Sequence, residues 1–270
     1  YAMKFDKYEG AGNDFVFLDA TEWTDQIPDP ALVRRLCDRR FGVGADGLIV
    51  LRPSTTADFV MDYYNADGHP GSFCGNGGRC SVLHSAHLGW IEVQARFEAF
   101  DGVHMGAVLG PDRFEVSMMP GAIPQRLDAG EWGGAEVWFA NTGSPHVVWV
   151  GELDPTVSWE SAMKSIRHAP RFAPGGTNVN QVWRDASGLW QMRTFERGVE
   201  AETLACGTGT VAVARVLWTG GWIDTPVVSL QALGGLLEVQ IEPAASGFGN
   251  CRLRGPAHRV FSGTWPQSTP

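Results

Sequence analysis

The sequence predicts an α/β (α+β) fold of two pseudo-symmetric domains, each a curved mixed sheet or barrel wrapped around a central helix. Three observations lead there. First, Cys74–Trp90 aligns without gaps on Cys206–Trp222 at an offset of 132, matching in Cys, three Gly and Trp. A nearly equal offset of 131 aligns Arg40-Phe41 with Arg171-Phe172 and Gly12 with Gly143. That period far exceeds the roughly 20–50 residues of solenoid repeats, so a whole domain has been duplicated. Second, short β-branched or aromatic runs are bounded by Gly, Pro, Asn or Asp, which is the pattern of strands and turns. Third, Thr210–Trp218 is apolar on nearly every face, which marks a helix enclosed on all sides.

Taken in order, strands are expected at Asp14–Asp19 and Phe59–Tyr64. Between them a helix starts at Asp29, a suitable N-cap with Pro30 in the first turn, and continues through Leu36. The central helix of the first half begins just after Cys74. The second half repeats the scheme, with strands at Val137–Phe139, His146–Val150 and Gln191–Phe195 and a helix just after Cys206. The boundary is placed near Met119-Pro120, giving domains 1–118 and 119–257. A C-terminal strand around His258–Phe261, within 258–270, returns to the first domain. The active site is expected in the cleft between the two.

Composition narrows the function classes. Against 30 Asp+Glu there are only 21 Lys+Arg, a net charge of −9, and no basic stripe to neutralise phosphates. Nucleic acid and anionic membrane surfaces are therefore not expected partners. The longest apolar runs fall short of the roughly 18 residues of a membrane span. Glycine, at 34 of 270 residues, exceeds its usual share of about 7% and clusters at Gly75, Gly77 and Gly78, where backbone rather than side chain is suited to binding. Five cysteines without a secretory leader pattern point to a reducing, cytoplasmic compartment rather than a disulfide framework. Met3 is the expected natural start.

A cysteine just before a helix has unpaired backbone N–H groups and the positive end of the macrodipole beside it, which favour thiolate. The adjoining Gly75, Gly77, Gly207 and Gly209 let a ligand carboxylate approach those amides. Two such places, related by duplication, set one thiol on each side of a single ligand. Inverting a stereocentre requires that arrangement, with a base on one face of the carbon and an acid on the other. Cys37, Cys80 and Cys251 have no repeat partner and are assigned as small buried apolar residues. A metal site is not expected, because there is no C-x-x-C and the seven histidines show no ligand spacing.

Eight ordered motifs carry a family resemblance: G-A-G-N-D-F (Gly10–Phe15), R-R-F-G-V-G-A-D-G (Arg39–Gly47), Y-N-A-D-G (Tyr64–Gly68), C-G-N-G-G-R-C (Cys74–Cys80), N-T-G-S-P-H (Asn141–His146), T-N-V-N (Thr177–Asn180), E-R-G (Glu196–Gly198) and A-C-G-T-G (Ala205–Gly209). Over nearly its whole length the chain resembles the diaminopimelate epimerases, cofactor-independent enzymes that interconvert LL- and meso-diaminopimelate. The resemblance implies the same two-domain fold and makes Cys74 and Cys206 the paired base and acid. It sets His146 and Glu196 beside the thiols, where they help fix protonation. It gives the distal end of the substrate to Asn13, Asn65, Asn178 and Arg197, with Glu196 also in contact, and the reacting carboxylate to the amides of Gly75, Asn76, Gly207 and Thr208. A planar guanidinium at Arg197 suits a far carboxylate. The resemblance also implies no pyridoxal phosphate, metal or nicotinamide, a small amino-acid substrate, and a homodimer.

Two positions depart from the commonest pattern. Ser144 stands where many members have Asn, and Gly47 where some have Gln. The nearest rival activity is a two-cysteine racemase of proline, hydroxyproline or histidine. Asn76 argues against the proline branch, in which His commonly follows Cys-Gly, and Arg197 argues for a distal carboxylate. An inactive binding module, or a phenazine-type isomerase of the same fold, would have no need of the thiol pair.

Overall fold

The structure is a computed structural model that describes residues 2–19, 28–132 and 136–266. Its chain divides into two units: residues 1–116 with 255–270, and residues 117–254. The sequence set these divisions at 118/119 and 257/258.

The first unit contains β1 (Ala2–Gly10), β2 (Asn13–Asp19), α1 (Pro30–Cys37), β3 (Gly47–Arg52), β4 (Phe59–Asn65), α2 (Gly75–His87), β5 (Gln94–Ala99), β6 (Gly102–Gly110) and β7 (Arg113–Met118), the last crossing the division. The terminal strand His258–Pro266 joins it, extending past the expected Phe261. From the terminal strand through β1 and β2 the pairings are antiparallel, then β2–β3 parallel, β3–β4 antiparallel, β4–β5 parallel, and β5–β6–β7 antiparallel.

The second unit repeats that series. Its elements are β8 (Gln125–Arg126), β9 (Glu136–Asn141), β10 (Pro145–Val150), α3 (Trp159–Arg167), β11 (Asn178–Arg184), β12 (Trp190–Glu196), β13 (Ala201–Thr203), α4 (Gly207–Thr219), β14 (Val227–Ala232), β15 (Gly235–Gln240), β16 (Pro243–Ala244), β17 (Gly247–Phe248) and β18 (Cys251–Gly255). The pairings β8–β9–β10 are antiparallel, β10–β11 parallel, β11–β12 antiparallel, β12–β14 parallel and β14–β15–β18 antiparallel. The order of parallel and antiparallel pairings is the same in both copies, as duplication requires.

Each sheet has a helix on both faces. In the first unit α2 touches β1, β2, β3, β4, β6 and the terminal strand, so the sheet curls around it. Gly75–Ser85 are all buried as a result. In the second, α4 touches β9, β10, β11 and β15, and Gly209–Leu217 are buried. The apolar Thr210–Trp218 run is therefore apolar because strands surround it.

The opposite faces are covered by α1 and α3. Asp29 caps α1, its carboxylate accepting from Ala31 N at 2.9 Å, and Val33 and Leu36 pack onto Val16, Leu18, Leu48 and Val50. The equivalent α3 escaped the sequence reading. Its signals are Ser158, whose Oγ caps the first turn, Glu160 near the N-terminus, Lys164 and Arg167 in the last turn, and Met163 and Ile166 buried against Val137, Val147, Val179 and Phe195. Among the described residues no helix is long and apolar enough to cross a membrane.

Candidate active site

Cys74 and Cys206 are the N-cap residues of α2 and α4, both with extended backbone (φ −108°, ψ 112° and φ −125°, ψ 112°). Neither sulfur caps its own helix. The amides that follow each cysteine, which include those of Gly75, Asn76, Gly207 and Thr208, start a helix and have no intrahelical acceptor. Cys74 is half-buried, while Cys206 is 9% exposed. Cys37, Cys80 and Cys251 are buried thiols, as expected. Burial pushes the Cys37 pKa up to about 12 and raises that of Cys80 as well.

In the first unit the β1–β2 turn delivers Asn13. Gly10 pairs with Asn13, and the two turn residues Ala11 (φ 54°) and Gly12 (φ 82°) are left-handed, the geometry that matches strand twist. The Asn13 Oδ1 then lies 3.5 Å from Cys74 Sγ and 3.3 Å from Asn76 Nδ2, while its Nδ2 donates to Asp46 Oδ2 at 2.6 Å. Asp46 is held in turn by Arg39, which also grips Asp14 through both amino groups (2.9 and 2.7 Å). Burial raises the Asp14 pKa, but hydrogen bonds from Arg39 and Lys7 outweigh it and hold the carboxyl at about 2.

Asn76, 1% exposed, is anchored from the other side, its Oδ1 accepting from Arg79 Nη2 at 2.9 Å. Arg79 is itself fully buried and donates also to the carbonyls of Gly75 and Pro256. Burial pushes its pKa down from the ordinary guanidinium value. Asn65 ends β4, half-buried, opposite Gly47. A Cβ at position 47 would lie 2.5 Å from the Tyr63 ring and 2.6 Å from the Tyr64 carbonyl, so this chain has no room there for the glutamine of some relatives.

The second unit builds its site from the same places. Asn141–Ser144 is the β9–β10 turn, with Gly143 at φ 97°, and it presents Ser144 where the first copy presents Asn13. Strand alternation sends Val147 toward α3 and His146 toward α4. His146 is completely buried; its Nε2 lies 2.9 Å from Ser144 Oγ and 3.0 Å from Thr208 Oγ1, and its Nδ1 is 3.0 Å from Asn180 Nδ2. Thr208 Oγ1 is 3.4 Å from Cys206 Sγ and accepts from Ser144 Oγ at 3.2 Å. His146 thus reaches the sulfur through a hydroxyl.

The orientation of Asn180 follows from its other partners. Thr194 Oγ1 donates to its Oδ1 at 2.9 Å and its Nδ2 also reaches the Val147 carbonyl. His146 Nδ1 is then an acceptor, and the ring proton sits on Nε2. Burial first, and the Arg197 charge second, push the His146 pKa down to about 3, so the ring is neutral at any ordinary pH.

Asn178, expected at the distal end of a substrate, is 4% exposed and braces two segments: its Nδ2 donates to Pro145 O at 3.0 Å and its Oδ1 accepts from Arg197 N at 2.8 Å. The Arg197 side chain is exposed and Glu196, ending β12, is half-buried. Sequence reasoning missed Asp46, Arg39, Arg79, Asn180 and Thr194. All but Thr194 sit inside quoted motifs, and Asn180 could have been found as a polar residue at a buried place in the strand N-V-N-Q-V.

A sequence model of the family described as "Diaminopimelate epimerase" matches residues 5–117 and 138–257. The Diaminopimelate epimerase of Flavobacterium psychrophilum is 37% identical over 262 residues, covering 97% of this chain and 100% of that protein. That of Chlorobaculum tepidum is 42% identical over 265 residues, covering 94% and 98%. Among solved structures, a phenazine biosynthesis protein of the PhzF family from Bacillus anthracis superimposes with a TM-score of 0.76 at 14% identity, covering 99% of this chain and 100% of the other. A hydroxyproline epimerase from Agrobacterium vitis, with bound trans-4-OH-L-proline, gives 0.71 at 14% identity, covering 98% and 92%. At such identities these two structures speak for the fold alone.

Proposed function

The chain belongs to the diaminopimelate epimerase family, and from that premise we propose that it interconverts LL- and meso-diaminopimelate with Cys74 and Cys206 as base and acid. The observation that carries this reading is the placement of the two cysteines as N-caps at the same point of two duplicated, strand-enclosed helices. One thiolate removes the α-hydrogen as a proton. The C–H electron pair stays on carbon, delocalised into the adjoining carboxylate, and the other thiol delivers its proton to the opposite face. Inversion therefore needs one sulfur on each side of the carbon.

The amides of Gly75, Asn76, Gly207 and Thr208 bind the reacting carboxylate and stabilise the charge that develops on it, as preorganised dipoles do. Neutral His146 holds a hydrogen on Nε2 toward the hydroxyls beside Cys206, with its Nδ1 turned to Asn180. Arg197, with Asn13, Asn65, Asn178 and Glu196, recognises the distal amino-acid end. A site built to pair such a group rejects substrates that lack it, because its polar atoms would be left unpaired. The cytoplasmic placement and the homodimer expected of the family belong to the same proposal.

Incubation with LL-diaminopimelate in heavy water tests it. Deuterium is expected at the inverted α-carbon, detected by mass spectrometry and proton NMR. A Cys74→Ser or Cys206→Ser protein with undiminished epimerisation would remove the basis of the reading.

A further inference from the structure

The two helix starts are equivalent in the duplication, yet the atoms offered to their sulfurs have opposite hydrogen-bond polarity. Asn76 corresponds to Thr208 at the offset of 132, and Asn13 to Ser144 at 131. The first copy thus carries two amides where the second carries two hydroxyls.

At α2 the direction of both amides is fixed by charge. Arg79 has only donors, so the atom of Asn76 facing it is Oδ1 and the one facing Asn13 is Nδ2. Asp46, held by Arg39, presents a carboxylate, so the atom of Asn13 facing it is Nδ2. The atom that Asn13 turns to Cys74 is therefore Oδ1, an acceptor at 3.5 Å that requires a hydrogen on the sulfur.

At α4 the direction is set from the imidazole. With Nδ1 occupied by Asn180, His146 donates from Nε2 to Ser144 Oγ and Thr208 Oγ1. Asn178 Nδ2 lies 3.5 Å from Ser144 Oγ, so Ser144 receives hydrogens from the imidazole and this amide and passes its own to Thr208 at 3.2 Å. With donors converging on Thr208 Oγ1, its hydrogen is directed at Cys206 Sγ, 3.4 Å away.

Resting on the acid–base reading above, we infer that in the resting protein Cys206 carries the negative charge and Cys74 the proton, because Thr208 donates to one sulfur while Asn13 accepts from the other. Thr208, with Ser144 and His146 behind it, is a positioning residue for the thiolate. Helix-start amides are common to both sulfurs and do not separate them. Among the charged groups near the first set, Arg79 attracts an anion at Cys74 and Glu9 opposes one, Cys80 also lies near, and the Asp46–Arg39 pair stands behind Asn13. Arg79 directs hydrogens at three carbonyl oxygens, of Pro256, Gly75 and the Asn76 side chain, while the carbonyl of Asn13 faces Cys74 directly. Near the second set the Arg197 cation, which acts on His146, favours an anion nearby. One turnover leaves the proton on Cys206 and the charge on Cys74, facing an amide oxygen. The protein then returns to rest by proton exchange with solvent or by the reverse reaction.

The test is alkylation of the full chain with iodoacetamide across a pH series, read by mass spectrometry on the peptides that contain Cys74 and Cys206. The pH midpoint of labelling reports the thiolate fraction at each sulfur whatever its accessibility. Cys206 is expected to have the lower midpoint, by at least about one unit. Thr208→Val should raise the Cys206 midpoint by about one unit and leave that of Cys74 in place. Thr208→Ser should restore it, and Ser144→Ala should raise it less. A lower midpoint at Cys74, equal midpoints, or a Cys206 midpoint indifferent to the hydroxyl at position 208 would each overturn the inference. If Thr208→Val does not fold, the comparison of Thr208→Ser with Ser144→Ala decides. Labelling uses no substrate, so a failed deuterium experiment and a failed midpoint order are separate results.

Discussion

Gly77 and Gly209 stand at the same place in the two copies, one turn into the central helix, and they admit different neighbours. A Cβ on Gly77 would come within 2.8 Å of Ile49 Cδ1, 3.2 Å of Met61 Cε and 3.5 Å of Phe15 Cζ, the far ends of hydrocarbon side chains. On Gly209 it would collide with Asn180 Oδ1 and come within 3.3 Å of His146 Cε1. Phe15 and Ile49 correspond to His146 and Asn180 at the offset of 131. The duplicated backbone has therefore been kept, while the layer behind the helix start has become hydrocarbon in one copy and a hydrogen-bonded His–Asn–Thr set in the other. The first copy puts its polar control outside the helix start, through Asn13 and Asp46; the second puts it beneath.

The largest effect should come from the feature the copies share. Cys74→Ala and Cys206→Ala are each expected to lower turnover of diaminopimelate by about 10²–10⁴-fold, the usual contribution of one acid–base group. Unequal losses in the two directions would sharpen the comparison. The helices themselves come next. Leu217→Ala in α4, fully buried, should destabilise by about 2–5 kcal/mol, with Leu83→Ala in α2, 9% exposed, at the low end of that range. Urea unfolding measures both, and a larger cost in α2 would break the expected order.

Gly209→Ala should reduce turnover by about 100-fold, the scale of a displacement of about 1 Å in a catalytic set, since Asn180 is tied at both ends and cannot yield. Gly77→Ala, meeting flexible side-chain ends, should cost much less. Steady-state kinetics on the folded variants separate them, and equal losses would erase the distinction between the two layers.

The same buried layer also predicts a pH dependence of stability. Burial holds the His146 pKa at about 3 in the folded chain, against about 6.5 when unfolded. Between those values the unfolded state binds the extra proton, so this group's contribution is complete above about pH 6.5 and declines as pH falls toward 3. Replacing His146 by phenylalanine, the residue at the equivalent Phe15, should flatten the stability curve in that window relative to the parent protein. Chemical denaturation at a series of pH values reads the difference.

The duplication, the helix after each cysteine and the Asp29 cap were legible in the sequence because each is a local or periodic signal. What could not be seen was the direction of hydrogen bonds. That Asn180 faces His146 rather than solvent depends on the parallel pairing of β10 with β11, in which Val148 lies opposite Asn180. That Asn13 turns its oxygen to Cys74 depends on Asp46 arriving from the loop after α1. Motif spacing names these residues without ordering their atoms. The α3 helix was missed for a different reason: it has no counterpart in the matched segments of the repeat, and its Ser158 cap is not followed by the proline that marks the start of α1.

One corresponding pair of strands differs greatly between the copies in sequence separation. In the second unit the strand beside β9 is β8, two residues long and only ten residues upstream of β9. In the first unit the corresponding partner of β1 is the terminal strand, paired from Ala2–Pro266 to Glu9–His258. Every intervening residue must be synthesised before that partner exists, whereas each strand of the second unit is available by Gly255. Closure of so distant a pair is entropically the slowest kind of contact. The first unit therefore closes its sheet through a far longer stretch of chain than the second needs for the corresponding pair.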